Sequence, residues 1–273
     1  MIVEYKISIK QKLIDFLNKF HISKTNINRL INTNAISTAS RIITNALDEI
    51  EGSIYINYSA IEDNSHIDSY NFPISIIYED DNFIAIDKTK PMLVHSDGNT
   101  KDTLLNALTY YLKEKYDDSF IRPIHRIDYD TMGVVVFSKN ILAQSYVTYL
   151  LENNLVTKKY LAICQGIIKE DMTLNLKIAK DRHNSKKYCV SKTGKEAITK
   201  IKVIKNISNN TLIECDLKTG RPHQIRVSLA YINHPIVGDN LYSNATGNLK
   251  LLSKEFSFNY LGQAIRILSK KDM

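Results

Sequence analysis

The stretch IRPIHRIDYDTMGVVVFSKN, residues 121–140, sets His125, Arg126 and Asp128 just ahead of the apolar run Val134-Val135-Val136-Phe137. A carboxylate among cations at the lip of a strand supports three kinds of chemistry. It can be a salt bridge that closes the strand end. It can be a nucleophile or ion stabiliser, its charge favoured by a cation within about 4–6 Å. With His125 it can form the acid–base pair of a hydrolase. The cluster alone does not choose among them. Four more segments carry polar residues beside apolar runs or at a glycine turn. They are DKTKPMLVH at 87–95, KKYLA at 158–162, TGRPHQIRV at 219–227 and HPIVGDNLY at 234–242.

The elements that must position these segments follow from periodicity. Leu13, Ile14, Phe16 and Leu17 share a helical face. Ser23 caps a second helix, with Ile27, Leu30 and Ile31 inward and Lys24 and Arg29 outward. Asn32-Thr33-Asn34 ends it, and residues 53–58 alternate as a strand. Residues 61–72 are polar and aperiodic up to Pro73, which predicts a linker. Apolar runs at 74–78 and 83–86 predict a hairpin around Glu79-Asp80-Asp81-Asn82. Helical spacing returns at 103–112, 143–151 and 221–232, residues 134–137 form a buried type of strand, and residues 160–217 are rich in short strand-like runs. Strands interspersed with helices predict an α+β domain on a mixed, mainly antiparallel sheet with flanking helices.

A chain of 273 residues makes one large domain, or one domain and a small module. Its net charge of +7 suits an anionic partner, as it also suits a solvated basic surface. The charge is uneven. Between residues 10 and 41 six bases (Lys10, Lys12, Lys19, Lys24, Arg29, Arg41) face one acid, Asp15. Between residues 180 and 202 eight bases face two acids, with His183 and Tyr188 interleaved. Each segment is either a phosphate-facing surface or a solvated face. Cys164, Cys189 and Cys215 form no CxxC pair, the histidines lack ligand spacing, and no phosphate-loop glycine pattern occurs. Neither a metal nor another cofactor is expected. The N-terminal residues carry charges throughout, no run is long and apolar enough for a bilayer, and the cysteine usage suits a reducing compartment. These features predict a cytoplasmic protein with no membrane partner.

In order and spacing the five polar segments resemble the RluA family of pseudouridine synthases, from about residue 73 to residue 258. The family's HRLD and DTSG stand here as HRID, residues 125–128, and DTMG, residues 130–133. Its GRxHQIR is GRPHQIR, residues 220–226, and its GHPIxGDxxY is NHPIVGD followed by Leu241-Tyr242. Residues 13–36 resemble a worn S4 domain, an RNA-binding module of two helices and a few strands, with Asn34 in place of the usual loop glycine.

The resemblance implies the pseudouridine synthase fold and an RNA uridine isomerase. It gives Asp128 the role of nucleophile at the ribose C1′, Arg226 that of its ion-pair partner, and Tyr160 that of a ring stacked on the excised base. Reaching a uridine inside folded RNA requires flipping it out. Arg126 would then clamp the flipped nucleotide, His125, Arg221 and His223 would contact RNA, and Lys24 and Arg29 would bind through the S4-like module. The implied layout is an S4-like module at 1–60, a linker at 61–73 and a catalytic domain at 74–273, acting as a monomer. Ribosomal RNA is the favoured partner and transfer RNA the alternative. A non-catalytic RNA-binding protein is the rival from another class, and retention of Asp128, Tyr160 and Arg226 argues against it. A hydrolase using His125 and Asp128 would leave the GRPHQIR segment unexplained. Met132, Met92-Leu93 and Ser228 depart from the family pattern, which touches loop detail and substrate preference rather than the chemistry.

Overall fold

The computed structural model describes residues 1–61, 67–115 and 121–273, so residues 62–66 of the expected linker lie outside the described residues. The chain packs as two compact units. The first holds Met1–Ala85, Leu93–His125 and Val136–Asn153; the second holds Ile86–Met92, Arg126–Val135 and Asn154–Met273.

The first unit opens with β1 (Ile2–Lys12), followed by α1 (Leu13–Asn18), α2 (Lys24–Asn32), β2 (Ile36–Thr38) and β3 (Glu49–Asn57). The strands form a sheet of order β1-β3-β2. β1 is absent from the sequence-based expectation, although Val3, Tyr5, Ile7 and Ile9 alternate with polar residues; only Ile7 of its eleven residues is buried. The two helices lie where apolar spacing placed them. Ser23 caps α2 by accepting the Asn26 amide at 3.3 Å, and Asn34 leaves the helix at φ 55°, a conformation that asparagine tolerates better than most residues. The expected hairpin is β4 (Ile76–Glu79) and β5 (Phe83–Lys88). Its turn is held by Asp80 Oδ1, which accepts the Asn82 and Phe83 amides at 2.7 and 2.6 Å. Then come α3 (Leu104–Lys115), β6 (Arg122–Pro123), β7 (Met132–Ser138) and α4 (Ile141–Glu152). β5 and β7 each divide between the two units.

The second unit adds β8 (Thr157–Gln165), β9 (Met172–Lys180), β10 (Tyr188–Val190), β11 (Lys195–Ile207), β12 (Asn210–Leu217), α5 (Gln224–Tyr231), β13 (Leu251–Tyr260) and β14 (Gln263–Leu268). Their order is β10-β9-β11-β12-β8-β13, with β14 on β13, and these pairings are antiparallel. The start of β7 joins β13 in parallel. The result is the α+β architecture, with a mainly antiparallel sheet, that the patterning predicts.

The sheet has two unlike faces. On one, Ile178 and Ala197 pack with Val227 of α5. On the other, charges alternate from strand to strand: Lys200 pairs with Asp216, Asp216 with Lys159, and Lys159 with Glu255. Glu255 accepts from Arg266 at 2.9 Å. Opposite charges side by side favour the register and leave this face with little net charge to attract an anion.

One glycine fixes the segment that carries Asp128. Gly133, at φ 103°, pairs with Ser253 across the parallel ladder. A Cβ there would run into the Ser253 carbonyl and approach its amide nitrogen to 2.8 Å. Gly247 has a similar φ of 105° but nothing within 4 Å. Gly247→Ala should therefore show backbone strain alone, about 1–3 kcal/mol. Gly133→Ala should cost more than that, about 3 kcal/mol or above, because the strands must also part. Urea unfolding of both variants checks this, and equal losses would mean that the close approach of β7 to β13 is not a constraint.

Candidate active site

The chain enters α5 through the turn Thr219-Gly220-Arg221-Pro222 and then His223, which takes a left-handed φ of 53°. The buried Gln224 organises that turn with four hydrogen bonds. Its Oε1 accepts from Thr219 Oγ1 and the Arg221 amide, both at 2.9 Å. Its Nε2 donates to Ile198 O at 3.1 Å and Thr199 Oγ1 at 2.9 Å. Two residues on, Arg226 projects from the buried side of the helix, 4% exposed.

Arg226 is gripped by Asp239. Nε donates to Oδ2 at 2.9 Å and Nη2 to Oδ1 at 2.8 Å, a bidentate pair in which Asp239 is itself only 1% exposed. Asp239 Oδ1 also accepts the Leu241 and Tyr242 amides at 3.1 and 3.2 Å. The third nitrogen of Arg226, Nη1, stands 3.7 Å from Asp128 Oδ2. That distance is an ion pair and is too long for a hydrogen bond. Burial works against the Arg226 charge. The hydrogen bonds and charge of Asp239, then the charge of Asp128, outweigh it and hold the guanidinium pKa above its ordinary value. The Asp128 side chain is 25% exposed, and among the described residues its carboxylate accepts no hydrogen bond.

The turn under Asp128 is held by its backbone. The Thr131 amide donates to Asp128 O at 3.1 Å, and the Met92 amide to Tyr129 O at 3.1 Å. Beneath it lies the fully buried Lys88, whose Nζ donates to Tyr129 O at 2.6 Å, Met92 O at 3.0 Å and Asp128 O at 3.3 Å. Burial lowers the Lys88 pKa to about 8, against the pull of Asp130 and Asp128. The Thr131 hydroxyl is buried without a hydrogen-bond partner among the described residues.

Around this centre stand three rings. Tyr160, on β8, is buried, and burial raises its phenol to about 12; a hydrogen bond with Ser253 opposes the shift and the charge of Asp128 adds to it. Ser253 Oγ also donates to Val134 O at 3.1 Å. Tyr242 places its ring 5.3 Å from the Arg226 guanidinium and its hydroxyl 2.7 Å from His223 Nδ1. The Tyr188 amide donates to that same hydroxyl at 2.9 Å. Burial lowers the His223 pKa; Asp128 pulls it back up, and Arg226 lowers it further.

Of the residues singled out in the sequence, the structure brings together Asp128, Tyr160, Arg226 and His223. Arg126 is exposed and close enough for its charge to act on His223. Arg221 sits on the turn before α5, its Nε donating to Glu196 O at 2.8 Å. His125 belongs to the first unit, where its Nε2 accepts the Val136 amide at 3.2 Å. Lys24 and Arg29 are exposed on α2 of that unit. Among the described residues no group of three or more His, Cys, Asp or Glu could hold a metal ion. Sequence reasoning missed Asp239, Lys88 and Tyr242 as parts of the site. All three stand inside the quoted motifs, but only the folded chain shows which side chains they meet. Asp239→Ala leaves a permanent buried cation without its main partner, and should cost about 3–5 kcal/mol of stability. Denaturant unfolding measures this, and a loss below about 1 kcal/mol would mean that Arg226 is satisfied without Asp239.

A family model described as RNA pseudouridylate synthase matches residues 82–231. A relative from Haemophilus ducreyi, named Ribosomal large subunit pseudouridine synthase D, is 36% identical over 224 residues, covering 81% of this chain and 68% of its own length. A relative of the same name from Haemophilus influenzae is 36% identical over 199 residues, 72% of this chain and 61% of its own length. The chain thus spans about two thirds or less of the length of these curated relatives. The solved structure of Human RNA Pseudouridylate Synthase Domain Containing 1 shares the fold, with a TM-score of 0.64 at 20% identity, over 74% of this chain and 85% of that one. The polar segments, the site geometry and these similarities agree: the chain belongs to the RNA pseudouridylate synthase family.

Proposed function

We propose that this chain isomerises uridines of large-subunit ribosomal RNA to pseudouridine, with Asp128 as the nucleophile. The observation that carries this reading is the state of the Asp128 carboxylate. It has a permanent cation 3.7 Å away, it is partly open, and among the described residues it accepts no hydrogen bond. Oδ2 faces the guanidinium without a hydrogen bond, which leaves both oxygens able to meet a reacting carbon. The names of the relatives support ribosomal RNA as the substrate.

Isomerisation breaks the bond between N1 of uracil and C1′, and the electron pair leaves with N1. The C1′ left behind is oxocarbenium-like, and Asp128 either bonds to it or stabilises it by charge, as a carboxylate does in a retaining glycosidase. The freed uracil turns and C5 bonds to C1′, and any bond from Asp128 to C1′ breaks with its electron pair returning to the carboxylate. The C5 proton is lost and N1 ends protonated, so the reaction balances without a co-reactant. Arg226 orients Asp128 and supplies its counter-charge. Tyr160 offers a ring face to the base. With its phenol raised to about 12 by burial, it is a stacking partner rather than a resting phenolate base.

In this reading Arg126, Arg221 and His223 lie along the path of the flipped strand, and His125 contacts RNA. The basic hairpin at 180–202 and the module at 1–60, with Lys24 and Arg29, provide affinity through phosphate contacts that do not read sequence. Residues 61–73 are the linker and 74–273 the catalytic domain of a cytoplasmic monomer. No helix among the described residues is long and apolar enough to cross a membrane.

The test is to incubate the chain with a protein-free large-subunit ribosomal RNA transcript and map the pseudouridines formed. Wild-type protein should modify a small set of sites. Asp128→Asn should bind the transcript within about threefold of wild type and form no product, a loss of at least ~10⁴-fold in rate if the carboxylate is the nucleophile. Product from Asp128→Asn would remove Asp128 from the chemistry, and modification of transfer RNA alone would move the substrate.

A further inference from the structure

Lys158 leaves β8 two residues before Tyr160, so both side chains project on the same side of the strand. It is half-buried, and among the described residues its ammonium makes no hydrogen bond and no ion pair. Its surroundings add to that cost. Burial depresses its pKa, Asp216 opposes the shift, and Arg221 and Lys218 deepen it. Asp216 Oδ2 pairs with Lys218 at 2.6 Å and its buried Oδ1 has no hydrogen-bond partner among the described residues, so its charge eases Lys158 without a bond to it.

The geometry around it is built rather than loose. Lys158 Nζ lies against the turn before α5, 3.6 Å from where a Gly220 Cβ would stand. Gln224 fixes that turn through Thr219, Arg221 and β11. The next residue, Arg221, has its Nε anchored on Glu196 O at 2.8 Å, which leaves the two Nη groups without a partner among the described residues. The Lys158 ammonium thus lies against Gly220, and the charge of Arg221, the next residue, reaches it. Three rotatable N–H donors beside a planar fork are a donor set suited to a tetrahedral oxyanion.

We propose that Lys158 and Arg221, on either side of Gly220, form a subsite for one backbone phosphate of the RNA, next to the uridine that Tyr160 faces. This rests on the RNA-directed reading above. A backbone phosphate is favoured over a free anion because the subsite lies on the same side of β8 as the ring proposed to hold the base, one strand repeat away, about 6.6 Å.

The experiment compares wild type, Lys158→Met and Lys158→Arg in binding to a uridine-containing RNA stem-loop across a salt series, with thermal unfolding of each protein. Lys158→Met should bind at least tenfold more weakly at low salt, and the slope of log K against log salt should fall by about 0.7–0.9, the value of one released counterion. Lys158→Arg should keep the slope. Because the Lys158 ammonium makes no hydrogen bond and no ion pair, Lys158→Met should unfold at about the same temperature. A stability loss in Lys158→Met, or a slope unchanged from wild type, overturns the subsite. A scan of single neutral methylphosphonate linkages should find one position that weakens wild type and leaves Lys158→Met unaffected; no such position also overturns it. Inorganic phosphate that stabilises wild type but not Lys158→Met, with no RNA effect, assigns the site to a free anion instead. Wild type that binds no RNA at any salt refutes the RNA-directed reading itself, and is thereby distinguished from failure of the subsite alone.

Discussion

A guanidinium cannot shed its charge, so burying Arg226 obliges the fold to supply a carboxylate beside it. Asp239 meets that demand with a bidentate grip, and its remaining capacity fixes the backbone of the turn that follows it. What remains of the arginine's field is directed at Asp128, at 3.7 Å. Exposure grades along this line, from a buried Asp239 and Arg226 to a partly open Asp128. The inner pair absorbs the structural work, which leaves the outer carboxylate free for chemistry. A single carboxylate could not both anchor the arginine and react.

The same logic explains how the rest of the second unit is arranged. Lys88 ties three backbone carbonyls around the Asp128 turn from below, and Gly133 lets β7 close against Ser253 just after it. Gln224 locks the turn that launches α5, so Arg226 enters from a fixed direction. On the opposite face the alternating row of Lys200, Asp216, Lys159 and Glu255 offsets its own charge. Basic side chains that are not offset in this way, among them Lys158, stand out as the ones available to a phosphate.

Much of this was legible in the chain. The α+β class, the helices at Leu13 and Lys24, the Ser23 cap and the hairpin around Asp80 each rest on local pattern, and local pattern is what a sequence displays. β1 was missed although Val3, Tyr5, Ile7 and Ile9 alternate with Glu4, Lys6, Ser8 and Lys10, the period of a half-buried strand. In the site, motif order pointed to Asp128, Tyr160 and Arg226. It did not reveal Asp239 as the main partner of Arg226. That pairing depends on where the helix and the turn after it meet in space. Nor did it show that Lys88 is buried under the Asp128 turn, a contact 40 residues distant in the chain. Sequence indicates which side chains can do chemistry; the fold decides which of them share a charge.

In this account the grip of Asp239 on Arg226 is its main route to the reaction. A double-mutant cycle on Arg226→Lys and Asp239→Asn tests it, with single-turnover release of tritium from C5 of labelled uridine in RNA as the readout. If the two residues form one unit, each single variant should lose about 10²-fold or more, and the double variant should lose little beyond the worse single, a coupling of about 2–3 kcal/mol. Losses that simply multiply would contradict the account, because Asp239 would then reach the chemistry by a route that does not pass through Arg226.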